Sequence, residues 1–255
     1  MTLRISRGTL AFAMAEKDHA EQIAFTPYVI KSGVSIAANL REAFKTETWL
    51  HNTDRARVLI DTPVLLIPIE EYHEENAETL YMHSFPDTEG CTVMTGVLPD
   101  LNAVVLYSVN KDLKLVVGDH YDDVKFMPLM QPVWHYLHRR SFIGIHRKLF
   151  AHFHDNRLEL FSFERNRFVF SNAYDIKHRK DALYFMLFVW QELALDQQKD
   201  ELYLSGDIIE REELIAELQA HLRKVMTINP AADFNRAPMT AIKGITFDLL
   251  TLYLG

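Results

Sequence analysis

The chain has 255 residues, 48% of them hydrophobic and 24% charged, with only nine glycines and nine prolines. This is the composition of a folded globular protein with material for two cores of about 120 residues each, and it excludes long disordered linkers and low-complexity arrays. The net charge of −8 argues against wholesale affinity for nucleic acid or an anionic membrane.

At the start of the chain, Leu3, Ile5, Leu10, Phe12 and Met14 alternate with polar or small residues. That period predicts a hairpin with one buried face, turning at Arg7-Gly8. Arg4 and Arg7 interrupt the apolar pattern, so no leader peptide is read there. A third strand is expected at Pro27 to Lys31. Ser35 then caps a helix whose apolar face is Ile36, Leu40, Ala43 and Phe44. Arg57 to Ile60 reads as a short buried strand that stops at Asp61-Thr62-Pro63, because proline cannot continue a sheet ladder.

Residues 64 to 100 depart from this pattern. An apolar run, Val64 to Ile67, precedes an acidic helical segment carrying Glu70, Glu71, Glu74, Glu75 and Glu78. Its plainest reading is a solvated face, with a partner site as the alternative. Cys91 to Val97 is expected as an edge strand. Cys91 is the only cysteine, which suits a reducing compartment and a small half-buried strand position. Ala103 to Tyr107 is a buried strand, and Asn110 caps a helix running to about Asp119. Val124 to Met127 is another strand, followed by a helix from Leu129 to Leu137.

Leu149 to Tyr174 then reads as three strands joined by polar turns at 154–157 and 164–167. The helix from Asp181 is apolar almost all round, which predicts burial on more than one side. Its greasy run, Leu183 to Leu195, is broken by Gln191 and Glu192 and falls short of the ~20 residues a membrane span needs. A strand at Leu202 to Leu204 ends in Ser205-Gly206-Asp207. A helix with Leu214, Leu218 and Leu222 on one face, a strand at 225–228 and an apolar helix at Phe247 to Leu252 close the chain. Each half therefore runs strand, strand, strand, helix, strand, helix, strand. The repeat is one of pattern, not of letters, and predicts α/β lobes with mixed sheets.

Leu3-Arg4-Ile5-Ser6, Asp61-Thr62-Pro63, Glu74 to Glu78, Leu98 to Val104, Asp155 to Leu158 and Asp181 to Phe185 carry a resemblance across nearly the whole chain. It is to a bacterial domain-of-unknown-function family with an actin-like ATPase fold, found chiefly in Bacteroidetes. A weaker likeness is to actin-like pilus-assembly proteins. The resemblance implies two ribonuclease-H-like lobes, at 1–140 and 141–255, with an insertion in the first near 64–100. It implies no activity.

An actin-type ATPase holds Mg²⁺ and phosphates with two hairpins, each offering an acid and glycine N–H groups. Measured against that pattern, the first hairpin has Ser6-Arg7-Gly8 and no acid. The second has Asp155-Asn156-Arg157, keeping the acid but not the glycine, and the adenosine-side Gly-Gly becomes Ser205-Gly206-Asp207. If a nucleotide is held, Arg7, Gly8, Asp155 and Gly206 hold it, and Asp61 stands where a water-activating acid belongs. Asp61 before Thr-Pro is also ordinary turn chemistry. Asp155 and Asp207 are the one carboxylate pair a two-metal nuclease could use. No ATP/Mg cofactor is expected.

Two further features bear on function. His152 and His154 lie two apart, on one face of a strand, and could share Zn²⁺; half-exposed strand histidines are the plainer reading, and no metal is expected. Between Arg139 and Lys180 stand ten Lys/Arg against four acids. Arg139, Arg140, Arg147, Lys148, Arg157, Arg165 and Arg167 could form a patch for an anionic partner such as RNA, or simply the solvated face of the strands, guarding an edge. The residues thus leave three readings. The first is a cytoplasmic, non-catalytic actin-like protein that binds another macromolecule, a protein before a nucleic acid, without inserting into a membrane. The others are a diverged ATPase that still binds ATP/Mg, and an anionic-polymer binder.

Overall fold

The computed structural model describes residues 1–16 and 19–255. The chain opens with β1 (Thr2–Ile5), β2 (Leu10–Glu16) and β3 (His19–Tyr28), followed by α1 (Ile36–Thr46) and β4 (Arg55–Ile60). Ser35 caps α1 by accepting the Ala38 N–H at 3.2 Å. Next come β5 (Val64–Pro68), α2 (Ala77–Ser84), β6 (Cys91–Leu98) and β7 (Ala103–Asn110), then α3 (Lys111–Gly118), β8 (Asp123–Pro128) and α4 (Gln131–Ser141). The second half holds β9 (Lys148–His154), β10 (Arg157–Glu164), β11 (Arg167–Asp175), α5 (Arg179–Glu192), β12 (Glu201–Gly206), α6 (Arg211–Gln219) and β13 (Val225–Thr227). It ends with α7 (Pro230–Asp233) and α8 (Phe247–Leu254).

Two five-stranded sheets share one strand order, β3-β2-β1-β4-β8 and β11-β10-β9-β12-β13. In each, three strands pair antiparallel and the last two add in parallel. Parallel addition needs a crossover, supplied by α1 and α3 in the first lobe and by α5 and α6 in the second. These are the two lobes of an actin-like fold.

The insertion is a separate antiparallel sheet, β5-β7-β6. It extends to Asn110, beyond the sequence-based boundary near residue 100. Ala103 to Asn110 is its central strand and not part of the main sheet. The difference has a physical cause: a strand buried on both faces is a continuous apolar run in whichever sheet it lies. Val105, Tyr107 and Val109 join the large core, while Val104 and Leu106 pack with Ala77 and Tyr81 of α2.

β9 is buried at every position, so its two faces serve two cores. Phe150, with Phe161 and Phe163 of β10, joins the first lobe's core, and Leu149, Ala151 and Phe153 join the second's. α8 returns to the first lobe: Phe247, Leu249 and Leu250 enter its core, and Phe247 stacks edge-on against Tyr136 of α4 at 5.9 Å. α5 departs from expectation. Ala182, Met186, Val189 and Trp190 are buried, but Tyr184 and Phe188 stand 62% and 44% exposed. Its all-round apolar sequence therefore leaves one face open to solvent.

Candidate functional site

The strand ends of the two lobes meet where β1, β4 and the β9–β10 turn converge. Arg4 enters from β1, a strand buried at all four positions. A buried guanidinium must find partners for its donors, and Arg4 does. Its Nε donates to both carboxylate oxygens of Asp248, each at 3.0 Å, its Nη1 to Thr9 Oγ1 at 2.7 Å, and its Nη2 to Asp155 Oδ2 at 2.9 Å. Thr9 Oγ1 donates to the other Asp155 oxygen at 3.0 Å. Asp155 and Asn156 both have positive φ, which the tight turn between β9 and β10 requires, and this aims the Asp155 carboxylate back across the cleft.

A second group adjoins the first. Asp61, at the end of β4, accepts Ser6 Oγ at 3.0 Å and Arg157 Nη1 at 3.2 Å, and Arg157 Nε lies 3.1 Å from Glu159. His154 sits 3.6 Å from Asp155 and 3.5 Å from Glu159, too long for good hydrogen bonds but close enough for strong electrostatic coupling. Burial alone would lower its pKa, yet Asp155 and Glu159 outweigh that and raise it to about 9. Burial likewise would raise Asp155, but the neighbouring His154 and the Arg4 charge hold it well below the carboxylate range. Arg4, Arg157 and protonated His154 thus face Asp61, Asp155, Glu159 and Asp248 in one buried network. His152 is the opposite case: burial, and secondarily His154, push it well below its ordinary value, so it is neutral.

Of the four sequence-based nucleotide residues, Asp155 and Gly206 line one cavity, and Arg7 and Gly8 lie outside it. Arg7 is half exposed and reaches over the second lobe to Asp175 at 2.7 Å, and Gly8 has open space around it. Gly206 has φ +82°, and a Cβ there would lie 2.1 Å from the Phe153 carbonyl oxygen. Its glycine is needed for close packing of β12 on β9. Asp155 faces the centre, bound to Arg4. A cavity of about 330 Å³ remains beside it, walled by Arg4, His152, Gly206, Asp207, Arg211 and Asp248.

The rings of the two candidate zinc histidines stack with centroids 5.6 Å apart, but their nearest polar partners differ. His152 Nδ1 lies 3.0 Å from Ser205 Oγ, while His154 groups with Asp61 and Glu159, whose ligand atoms lie within 4.8 Å of one another. The Arg157 guanidinium already stands between those two acids, so a metal ion there would have to displace it and take the proton of His154.

The basic residues are similarly dispersed. Arg140 pairs with Asp233 at 2.9 Å, Arg147 with Asp200 at 2.8 Å and Arg167 with Glu70 at 2.7 Å. Lys148 is buried beside Glu201 at 3.7 Å, and Arg157 belongs to the cleft. Among the described residues, only Arg139 and Arg165 of this set lack an acidic partner. Sequence reasoning missed Arg4 and Asp248. Their signal was present: a lone charge inside an apolar strand, and another inside an apolar helix.

Strand order, crossovers and the meeting of the strand ends define a protein of the actin-like ATPase fold. Residues 1–225 match the family described as "Protein of unknown function (DUF3822)", and the chain belongs to it. It is similar to a solved protein from Bacteroides thetaiotaomicron with an actin-like ATPase fold and unknown function. The two share 24% identity and a TM-score of 0.87, over 99% of this chain and 94% of that one. A second solved structure, the PilM–PilN type IV pilus biogenesis complex, matches at 12% identity and a TM-score of 0.57, over 99% of this chain and 96% of that one. A comparison with curated proteins finds no match.

Proposed function

We propose that this chain is a non-catalytic member of the actin-like fold that acts by binding another protein, its nucleotide cleft filled by its own side chains. The supporting observation is Arg4. Its charge and donors are those a phosphate would need, and they are taken by Asp155 and Asp248. Arg157, standing where the ATPase pattern has glycine, places a second guanidinium at the lobe junction and ties Asp61, the candidate water-activating acid. A nucleotide would have to displace carboxylates from both arginines and then sit beside them. The partner is read as a protein by analogy with PilM, whose solved structure is a complex with PilN. Among the described residues no helix is long and apolar enough to cross a membrane. The cytoplasm is our reading, supported by a single cysteine, which suits a reducing compartment.

Thermal unfolding with Mg-ATP tests this. A ligand at 100-fold its Kd adds about 2.7 kcal/mol, so true binding gives a clear rise in Tm. The expected result is no shift at millimolar Mg-ATP. A magnesium-dependent rise would instead support the diverged-ATPase reading, for which the remaining 330 Å³ cavity leaves space.

A further inference from the structure

β5 ends one side of the inserted sheet and β11 ends one side of the second lobe's sheet. Both line one groove of about 470 Å³, floored by Leu129 and Met130, with Phe168 and Phe170 on one wall and Leu66 on the other, and it also takes in Asp61, Arg157 and Glu159 of the buried network. Hydrogen-bond register shows which backbone groups face it. Ile69 N–H donates to Asn102 C=O at 3.1 Å, continuing the β5–β7 pairing. Alternation along an antiparallel ladder then turns Leu65 and Ile67 toward β7, and Val64, Leu66 and Pro68 outward. Pro68, which has no N–H, occupies one of the outward places, as edge prolines do.

The same logic applies to β11. Ile176 N–H donates to Asn156 C=O at 2.9 Å, continuing the β10–β11 pairing, so Asn172 and Tyr174 bond inward while Ser171 and Ala173 face outward. The Ala173 N–H is taken by the Asn172 side chain at 2.9 Å. Among the described residues, no backbone partner meets the outward groups of Val64, Leu66 and Ser171. Two edges with free N–H and C=O groups therefore share one groove with an apolar floor. That combination is complementary to an extended polypeptide, whose backbone pairs and whose alternate side chains enter the pocket.

Charge specifies the occupant further. Between Ile69 and Gly90 the chain carries seven Asp/Glu and no Lys or Arg, and all seven acids are exposed. Among the described residues only Glu70 of these pairs with an arginine, Arg167. This arm begins where β5 ends, and Phe85 within it lines the groove. Resting on the reading of the chain as a protein-binding module, we infer that the groove receives an extended segment of a partner protein by strand addition. The segment alternates apolar residues and carries Lys or Arg where it leaves past Pro68 and Phe85.

The test uses the full chain and displayed random peptides of roughly ten residues, long enough for one strand. Peptides selected on the wild type are expected to alternate apolar residues and to bear basic residues at one end. Ser171→Pro removes the outward N–H without touching a ladder bond, because Ser171 faces Phe161 as a non-hydrogen-bonded pair. It is expected to weaken selected peptides about tenfold, as is N-methylation of the peptide at alternate positions. Hydrogen exchange at Leu66 and Ser171 is expected to slow on binding. If Ser171→Pro unfolds the chain, the N-methylated peptides and the exchange at Leu66 decide. The inference is overturned if no peptide is enriched, or if selected peptides ignore N-methylation and protect other amides. It is also overturned if the chain dimerises with these same amides protected, since the occupant is then a second copy. None of those outcomes bears on whether the cleft takes a nucleotide, which Mg-ATP binding alone decides.

Discussion

The two hairpins that flank the cleft have the same place in the same strand order, yet they are built differently. The β1–β2 turn is open: Arg7, Gly8 and Thr9 are exposed, and Arg7 makes a surface contact. The β9–β10 turn is closed: His154 and Arg157 are 5% and 8% exposed, and every side chain that bears charge there is paired. The first hairpin sends its cation, Arg4, from the strand below the turn, and the second meets it with Asp155. An ATPase would have both turns aimed at a shared anion. Here one lobe supplies the charge that the other neutralises.

The contrast predicts unequal sensitivities. The largest belongs to the buried side: Arg4→Met leaves Asp155 and Asp248 without their cation and is expected to cost about 3–5 kcal/mol, read as the denaturant midpoint at constant m-value. Arg7→Met, in a pair with both partners at least half exposed, is expected to cost less than about 1 kcal/mol. If the two variants match, the two hairpins do not differ as described. Next come the glycines. Gly206→Ala drives a Cβ into the Phe153 carbonyl at positive φ and is expected to cost about 2–3 kcal/mol. Gly8→Ala meets nothing within 4 Å and is expected to change Tm little.

pH sharpens the same comparison. The folded-state pKa of His154, about 9, lies above its ordinary 6.5. Its contribution is therefore complete below about pH 6.5 and is lost as pH rises through 9, to a total of about 3 kcal/mol. The pKa of Asp155 is displaced downward, so its contribution is present at neutral pH and lost on acidification. Between pH 7 and 10 the wild-type Tm should fall, and His154→Gln should remove most of that slope. An unchanged slope in the variant counts against a protonated His154 in the network.

Most of the fold was legible because its signals are local. The alternation at 149–174, the Ser35 and Asn110 caps and the proline after Asp61 each act within a few residues, and each is where the pattern placed it. β7 lies in a different sheet from the one expected because burial on both faces erases the alternation that would reveal its partner. α5 differs in the opposite sense, since an apolar surface does not say whether anything covers it. The cleft was legible only as a departure from the ATPase pattern. The pairing of Arg4 with Asp248 joins residues 244 positions apart, and no local pattern encodes it. Arg4 was visible as an interruption in an apolar strand, and a buried strand with a lone arginine demands a carboxylate somewhere.

The most direct test is a double-mutant cycle across the lobes, with Arg4→Met, Asp155→Asn and the pair, each measured by chemical unfolding. A cleft latched by its own charges predicts a coupling energy of about 1.5–3 kcal/mol, with the double variant far less damaged than the two single losses combined. Additive losses, within about 0.5 kcal/mol, would mean that the two residues do not hold the lobes together, and would contradict the account.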